Sequence, residues 1–456
     1  MSRRSVVRIA CMLLAAAGTA AAQTDLQFNR PGSGARAAGM ANAFIGISDD
    51  GTAASWNPAG LGQLRKPELS IVTNTIRREA RAEGFRSRDD AYFYRPTQSA
   101  FLTTSLDFAS VALPVTIAGK PLTFQGAWRR LYTLESHDNF DTAREPLAAE
   151  PAAPTLISVN SDVLGSVDLL SIAGAIKLTR RLALGASFNL WRGEWHEHAA
   201  ISESAPGAAS RFRQSRQDNR LDGDNVSLGL MFTYPRWSVG LLYLTPLASD
   251  YSADAGLATT EPLPVNEAHF DGTLRFGRSV GIGTAWRPGP QWTLAADVTW
   301  DDWKAATIEF PDQPASSLFD GLTPELSSTR NTWSMNAGAE RLFHGEGFVV
   351  PLRFGAAWEP QGGRDPYTRD PVNWVMFAAG TGYNTNTLKF DGAVQYRWAN
   401  VLDGSTFGVD EPARPDLPEA VGERAAREWR IKFSVILRIA DTDKLRGTLG
   451  KIFGDR

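Results

Sequence analysis

Apolar and polar side chains alternate along most of this chain, and this period of two is the feature that most limits its fold. Every second residue from Trp292 to Trp300 is apolar, and the same pattern recurs from Trp429 to Ile439. A period of two places successive side chains on opposite faces of a β-strand. A membrane-spanning helix needs about 20 consecutive apolar residues, and the apolar run Ile9–Ala17 is too short. The pattern therefore predicts an all-β protein.

The alternating segments number fourteen between residues 67 and 440, and the connections between them alternate in length. Six connections are tight, near residues 118–120, 179–181, 235–236, 288–290, 344–347 and 384–386. Seven are long and polar, near residues 78–104, 135–164, 197–223, 247–277, 304–330, 360–372 and 399–426. Outer-membrane barrels have an even number of antiparallel strands, short periplasmic turns and long outer loops. We therefore predict a 14-stranded antiparallel transmembrane β-barrel over residues 67–440.

Tryptophan and glycine are abundant, with 14 and 41 residues, and a barrel gives both a place. Such barrels carry an aromatic girdle at each membrane interface. We assign one girdle, beside tight turns, to Tyr234, Trp237, Trp286 and Trp292 and the other, beside long loops, to Trp300, Trp333, Trp358, Trp374, Trp398 and Trp429. The alternative is that these rings pack a soluble core.

Glycine inside a strand marks a close backbone approach. We therefore expect a segment to pack tightly against the glycines within strands, which are Gly126, Gly174, Gly185, Gly229, Gly240, Gly281, Gly283, Gly355, Gly380 and Gly382.

The N-terminus has the pattern of a bacterial secretory signal. Arg3, Arg4 and Arg8 precede the apolar run, and three alanines end it before Gln23. A charged region, a short apolar region and a small-residue cleavage site predict a signal peptide over residues 1–22. Together with the barrel, this signal predicts that the protein is located in the bacterial outer membrane.

A formal net charge of −3 gives no basic footprint for nucleic acid. Residues 441–456 form a C-terminal tail whose apolar spacing favours a short amphipathic helix; a frayed tail is the alternative.

The segment over residues 23–66 does not alternate and is rich in alanine and glycine. It contains the strings Ala37-Ala38-Gly39-Met40, Ala43-Phe44-Ile45, Asp49-Asp50 and Trp56-Asn57-Pro58-Ala59-Gly60-Leu61, and Trp300-Asp301-Asp302-Trp303 follows in the barrel. With these strings and a count of fourteen strands, the chain resembles the FadL-type long-chain fatty-acid transporter family over essentially all of its predicted mature length.

The resemblance implies an outer-membrane channel that passes long-chain fatty acids or aromatic hydrocarbons by diffusion. It also implies that residues 23–66 form a small hatch with short helices that plugs the lumen, and that Asn57, Pro58 and Ala59 lie in the transport path as gating residues. The residues themselves support a defined turn, because proline fixes its own φ and restricts the residue before it. The alternative is an ordinary turn at the end of a helix.

Strict alternation places a set of polar side chains in the lumen: Gln125, Arg129, Asp297, Arg353, Lys389, Asp391, Gln395, Arg397, Arg430, Lys432 and Arg438. Arg353, Arg397 and Lys432 are candidates to bind a ligand carboxylate, because a cation holds it by a charge-assisted hydrogen bond. The alternative is that they pair with Asp391, Asp297 or the hatch and keep the interior polar. Arg130 falls on the lipid face, which indicates either a side chain that reaches the rim or a β-bulge.

Two apolar clusters in the predicted outer loops could collect a hydrophobic ligand. One comprises Phe85, Tyr92, Phe93, Tyr94, Phe101 and Leu102, of which Phe93 and Tyr94 are ligand-binding candidates, and the other Ile308, Phe310, Leu318 and Phe319. Simple packing of the loops explains both equally well.

Nothing in the sequence favours catalysis. His196 and His198 share a strand face but lack a third evident ligand, and no nucleophile elbow occurs, so no catalytic residue, metal or cofactor is predicted. The prediction is a monomeric outer-membrane channel, surrounded by lipid, for passive uptake of hydrophobic small molecules. The main alternative is a barrel of the PorV type, a secretion shuttle that holds exported proteins. A third is an open porin, which the segment before the barrel disfavours.

Overall fold

A computed structural model describes residues 31–82, 85–86, 92–146, 153–260, 267–364, 370–402 and 423–439. The predicted signal peptide and the predicted C-terminal helix lie outside the described residues. Within the described ranges, no helix combines the length and apolar composition required to cross a membrane.

Fourteen strands pair with their sequence neighbours in antiparallel register, and the last pairs with the first, so the sheet closes into a barrel. The strands are β1 Glu68–Ala82, β2 Thr97–Ile117, β3 Lys120–Thr133, β4 Thr155–Lys177, β5 Leu182–Ser204, β6 Arg211–Thr233, β7 Trp237–Leu244, β8 Ser279–Gly289, β9 Trp292–Asp301, β10 Thr332–His344, β11 Val349–Arg364, β12 Pro371–Asn384, β13 Leu388–Leu402 and β14 Glu423–Arg438. The predicted strand count and closed antiparallel architecture are confirmed.

The six tight turns are also confirmed, and they lie at one end of the barrel, which we call the turn end. They comprise residues 118–119, 178–181, 234–236, 290–291, 345–348 and 385–387. In the first turn Ala118 and Gly119 both have positive φ, 50° and 74°. Two successive positive φ angles are the requirement of the two-residue hairpin turn whose twist matches its strands.

The predicted loops at 135–164, 197–223 and 247–277 are wrong in large part, because most of these residues form sheet. Strands β4, β5 and β6 span 23 residues each, and strands Ser136–Pro146, Leu247–Thr259 and Glu267–Phe276 widen the sheet at the same end. We call this region the outer extension. Its outward face is largely polar, and its inward face mixes polar residues such as Gln217 and Asn219 with apolar ones such as Tyr251 and Phe276. The apolar-outward alternation of the wall therefore ends there, while the hydrogen-bond ladder continues. The predicted loop at 304–330 holds only the short pieces Trp303–Ala305, Thr307–Glu309 and Ser316–Ser317.

The outward face of the barrel is apolar over its central part. Exposed outward side chains include Ile71, Ile172, Phe377 and Phe433, and Ile172 is 71% exposed. Patches this large are rare on soluble monomers and mark interaction surfaces. Trp237, Trp286 and Trp292 are exposed near the turn end, and Trp333, Trp358 and Trp429 are exposed farther along the barrel, as the two predicted girdles require.

Trp374 does not belong to a girdle, and its assignment was wrong. Its ring faces inward and is only 1% exposed, with the guanidinium of Arg397 5.1 Å from the ring centre. Nearness to a loop predicts the height of a residue along the barrel axis, whereas its odd or even position along the strand decides whether it faces inward or outward.

At Arg130 the strand register shifts before Tyr132, in agreement with the predicted bulge, and Arg130 contacts Asp168.

Candidate functional site

The residues before the first strand occupy the barrel interior. Residues 31–66, here called the inner segment, form one short helix, α1 (Ala35–Gly39), and two 3₁₀ turns, Ala53–Ser55 and Pro58–Gln63. Helix α1 contacts β11 to β14, whereas the turn at Pro58–Gln63 contacts β3 to β6 on a different part of the wall. Phe44, Ile47 and Leu61 are fully buried. The segment therefore packs against inward-facing side chains around the wall.

Asn57 fixes the turn at Pro58–Gln63, whose role as a gate stays a prediction. Its Oδ1 accepts a hydrogen bond from the Ala59 backbone N–H at 3.1 Å, and Pro58 begins the 3₁₀ turn. Its Nδ2 donates to the carbonyl oxygens of Ile45 at 3.3 Å and of Leu230 at 3.2 Å. A single buried amide thus joins two parts of the inner segment to strand β6.

Glycines on three neighbouring strands leave room for this turn. A Cβ at Gly185 would lie 2.3 Å from the Ala59 nitrogen, and a Cβ at Gly229 would lie 2.1 Å from Asn57 Oδ1. At Gly240 it would lie 2.2 Å from the Ile45 carbonyl oxygen. Real Cβ atoms do not approach so closely, so these positions exclude any side chain while the inner segment keeps its place. The expected close packing also holds at Gly281, Gly283, Gly355 and Gly380. It was wrong at Gly126, Gly174 and Gly382, which make no close contact with the inner segment.

Ion pairs attach helix α1 to the wall. Arg36 contacts Asp49 and both carboxylate oxygens of Glu340, the latter at 2.8 and 3.0 Å. Arg353 bridges the same Glu340 and Asp391, each at 2.7 Å. Burial would raise the pKa of Asp49, but the charges of Arg36 and Lys389 outweigh it and hold the pKa below its ordinary value. The chain of alternating charges therefore joins the inner segment to β10, β11 and β13.

Two further cations of the wall, Lys432 and Arg397, are also paired with carboxylates. Lys432 contacts both oxygens of Asp107 at 2.9 and 3.0 Å, and Asp107 also accepts from the Ser33 hydroxyl. Arg397 contacts Glu359 at 2.5 Å and Glu428 at 3.2 Å.

The structure therefore brings Arg353, Arg397 and Lys432 to the inner face, as alternation predicts, and pairs each with a carboxylate. Of the partners that the sequence offered as an alternative, Asp391 is found, with Arg353; Arg397 and Lys432 pair with Glu359, Glu428 and Asp107, which the sequence analysis did not name. Binding of a ligand carboxylate by the three residues stays a prediction.

An aromatic cluster lies on the inner face of β3 to β6 and of the outer extension, on strands other than those that carry Arg353, Arg397 and Lys432. Its buried core consists of Tyr132, Val167, Leu169, Trp191, Leu221, Leu247, Tyr251, Ala253, Leu274, Phe276, Trp303 and Ala306. Trp191 is 1% exposed and stacks on Phe276 with 5.8 Å between ring centres, and Phe276 meets Trp303 edge-on at 6.4 Å. Such rings provide a large apolar surface with little freedom of movement.

The two predicted loop clusters have different outcomes. Ile308, Phe310, Leu318 and Phe319 pack onto the aromatic cluster. Phe93 and Tyr94 lie on the short strand Tyr92–Tyr94, which pairs with Phe85–Arg86 and with Ser136–Pro146, so they are not on the strands that carry the three cations. Their role as ligand contacts stays a prediction.

The sequence reasoning missed the centre of the aromatic cluster. Trp191 directly follows the apolar outward set on β5 and has inward parity, as do Val167 and Leu169 on β4. The available signal was an apolar side chain at an inward position, but the strands were predicted from the apolar residues at outward positions alone.

The histidines make hydrogen bonds of their own: His196 with Asp218 and His198 with Gln214. Among the described residues, no group of three or more His, Cys, Asp or Glu could hold a metal.

The described residues define a closed antiparallel barrel of fourteen strands whose interior holds an N-terminal segment. The sequence matches no model of a known protein family and no curated protein. Solved structures share the fold. A FadL homologue from Pseudomonas aeruginosa has a TM-score of 0.60 at 15% identity, with 90% of this chain and 98% of that chain covered. The CymD monoaromatic hydrocarbon channel has a TM-score of 0.56 at 14% identity, covering 91% and 100%. The Pseudomonas putida toluene transporter TodX has a TM-score of 0.56 at 12% identity, with the same coverage.

Proposed function

We propose that this protein is an outer-membrane channel that admits hydrophobic small molecules by diffusion and that its inner segment is the gate. The observation that carries the proposal is the aromatic cluster enclosed in the lumen of a barrel with an apolar outward face. A channel for polar solutes gains nothing from buried rings around Trp191, because polar solutes favour a wet lumen. The similarity of fold to a toluene transporter and a monoaromatic hydrocarbon channel supports the same conclusion.

In this proposal a ligand enters the barrel from the outer side, contacts the aromatic cluster and then reaches the inner segment. The segment is tightly packed at Asn57, Pro58 and Ala59, so passage requires it to shift. Ligands would be long-chain fatty acids or aromatic hydrocarbons, and no energy source is needed because the ligand moves down its gradient. The protein acts as a monomer in outer-membrane lipid.

Uptake by cells tests the function. Cells that lack the gene receive the wild-type chain, Trp191→Ala or Trp333→Ala, and uptake of radiolabelled toluene and oleate is measured. Trp191→Ala removes a fully buried ring of the cluster, so we expect it to reduce uptake severalfold. Trp333 is 56% exposed on the outward face, so its variant controls for loss of any tryptophan. If the wild-type chain changes the uptake of neither compound, the transport proposal is wrong.

A cross-link tests the gate. A Cβ at Gly51 would lie 3.4 Å from the Cβ of Ser70 on β1, close to the 3.5–4.5 Å that a disulfide requires. Gly51→Cys with Ser70→Cys should therefore join the inner segment to the wall. We expect oxidised cells to lose uptake and to recover it on reduction. The single variants serve as controls, and undiminished uptake through the oxidised channel would contradict gating by this segment.

The same cells address the secretion-shuttle alternative. That alternative gains support if exported proteins co-purify with the barrel while the uptake of both compounds is unchanged by the gene.

A further inference from the structure

The turn end of the barrel carries a concentration of positive charge, which we call the basic arc. It lies on five successive positions of the rim, namely the residues before β1, the first three tight turns, and β10 beside the fourth. Its exposed side chains are Arg65, Lys66, Lys120, Arg180, Arg181, Arg236 and Arg341. Among the described residues of that end, the one exposed carboxylate is that of Glu346. The whole chain has a formal net charge of −3, so composition does not account for the arc.

The cations of the basic arc have no carboxylate to neutralise them. Within the described part of the chain none of the seven forms a salt bridge, whereas the lumen cations Arg353, Arg397 and Lys432 each contact a carboxylate within 3.2 Å. The other two connections of the rim, residues 345–348 and 385–387, contain no lysine or arginine. The uncompensated charge is therefore confined to one side of the turn end, where a bound anion would be stabilising.

Aromatic rings hold two of these guanidinium groups beside the girdle at the turn end. The guanidinium of Arg341 lies 4.8 Å from the ring centre of Phe343 and 5.3 Å from that of Trp292. The guanidinium of Arg181 lies 4.7 Å from the ring centre of Tyr234. Such contacts are attractive and restrict the side chain. Because an aromatic girdle marks the level of the lipid headgroups, these two cations lie where headgroup phosphates are found.

The chemistry of the arc matches the phosphodiester group of an anionic phospholipid. Five of the seven cations are arginines, and a guanidinium binds two phosphate oxygens at once by charge-assisted hydrogen bonds. A zwitterionic lipid brings an ammonium group that the same cations repel, so a lipid with net negative charge is favoured. Its acyl chains would lie on the exposed apolar face of the neighbouring wall, a contact that a free phosphate ion lacks.

We propose that the basic arc binds anionic phospholipids from the leaflet at the turn end, with its guanidinium groups on the headgroup phosphate and the acyl chains on the apolar wall. The inference rests on one part of the proposed function, that the barrel spans a membrane. It depends neither on the gate nor on the transported ligand.

Native mass spectrometry of the full chain in detergent tests the arc, with dioleoylphosphatidylglycerol and dioleoylphosphatidylcholine as probes. We expect the wild type to bind the anionic lipid at least about tenfold more tightly than the zwitterionic one. One arginine near an anionic headgroup contributes about fivefold to affinity. The triple variant Arg180→Gln, Arg181→Gln, Arg236→Gln should therefore bind phosphatidylglycerol about a hundredfold more weakly. Arg341→Gln should weaken it by about fivefold, which tests the arc even if the triple variant folds poorly.

The control removes the same charge from exposed arginines of β5 and β6 in the outer extension, with Arg192→Gln, Arg216→Gln and Arg220→Gln, and it should bind both lipids like the wild type. Equal phosphatidylglycerol binding by the two triple variants would overturn the arc. Equal affinity of the wild type for the two lipids would do the same, as would displacement of the lipid by an equal concentration of inorganic phosphate.

Lipid binding needs no transport, so its failure is distinct from failure of the uptake experiment. A chain that selects phosphatidylglycerol but changes the uptake of neither labelled compound would refute the function and leave the arc standing.

Discussion

At the scale of single residues, sequence parity predicts the face of a charged side chain but not its partner. Arg353 falls on the inner face by alternation, yet its partner Glu340 also binds Arg36, which lies 304 residues away in sequence. Such pairs depend on how the closed barrel surrounds the inner segment, and no local pattern contains that information.

Removal of Arg353 should destabilise the barrel strongly. Arg353→Met leaves the buried carboxylates of Glu340 and Asp391 without their shared cation, and breaking a buried pair costs about 3–5 kcal/mol. Arg192→Met is the comparison, because the Arg192–Asp222 pair is more than half exposed, and such pairs contribute about 0–1 kcal/mol. Urea unfolding in detergent micelles, followed by tryptophan fluorescence, measures both. Equal midpoints for the two variants would show that the buried network does not stabilise the fold.

A methyl group at Gly229 should disturb the inner segment. The added Cβ would overlap Asn57 Oδ1 at 2.1 Å, and overpacking of this kind costs about 1–3 kcal/mol. Gly126→Ala is the matched control, since a Cβ there meets nothing within 4 Å. We expect Gly229→Ala, and not Gly126→Ala, to raise the leak of small antibiotics into cells. Equal leak through the two variants would refute the tight contact.

At the scale of elements, strands were predictable where one face meets an apolar environment and the other a polar one. The six tight turns and fourteen strands follow from that contrast. It vanishes along β6 in the outer extension, where Arg216 and Asp218 point outward while Gln217 and Asn219 point inward. Long polar stretches therefore resembled loops, although backbone pairing continues through them. Backbone hydrogen bonds continue the sheet there, and apolar side chains such as Tyr251 and Phe276 pack on the inner face of the adjoining strands.

Hydrogen exchange distinguishes a sheet from a loop in the outer extension. Amides of residues 213–223 pair with both neighbouring strands, so we expect their exchange to be slow, like that of the barrel wall. Residues 205–210 connect β5 and β6 and are largely exposed, and they should exchange rapidly because protection follows buried, hydrogen-bonded backbone. Mass spectrometry of peptides from the two regions gives the comparison. Equally fast exchange would mean that residues 213–223 form a loop after all.

At the scale of the whole molecule, the barrel divides into an aromatic end and a turn end with the inner segment between them. If the barrel spans the outer membrane as we propose, the turn end faces the periplasm and the outer extension faces the medium, because short turns lie on the periplasmic side of such barrels. In that orientation the buried rings of the aromatic cluster lie toward the side from which we propose that a ligand enters.

Cysteine labelling in intact cells decides this orientation. The only cysteine is Cys11, within the predicted signal peptide, so an introduced cysteine is the sole thiol expected in the mature chain. Ala208→Cys lies in the exposed connection between β5 and β6, and Asn386→Cys lies in the exposed turn between β12 and β13. A membrane-impermeant maleimide should label Ala208→Cys in intact cells, and it should label Asn386→Cys only after the outer membrane is permeabilised. Labelling of Asn386→Cys in intact cells, with Ala208→Cys protected, would invert the barrel and place the turn end at the cell surface.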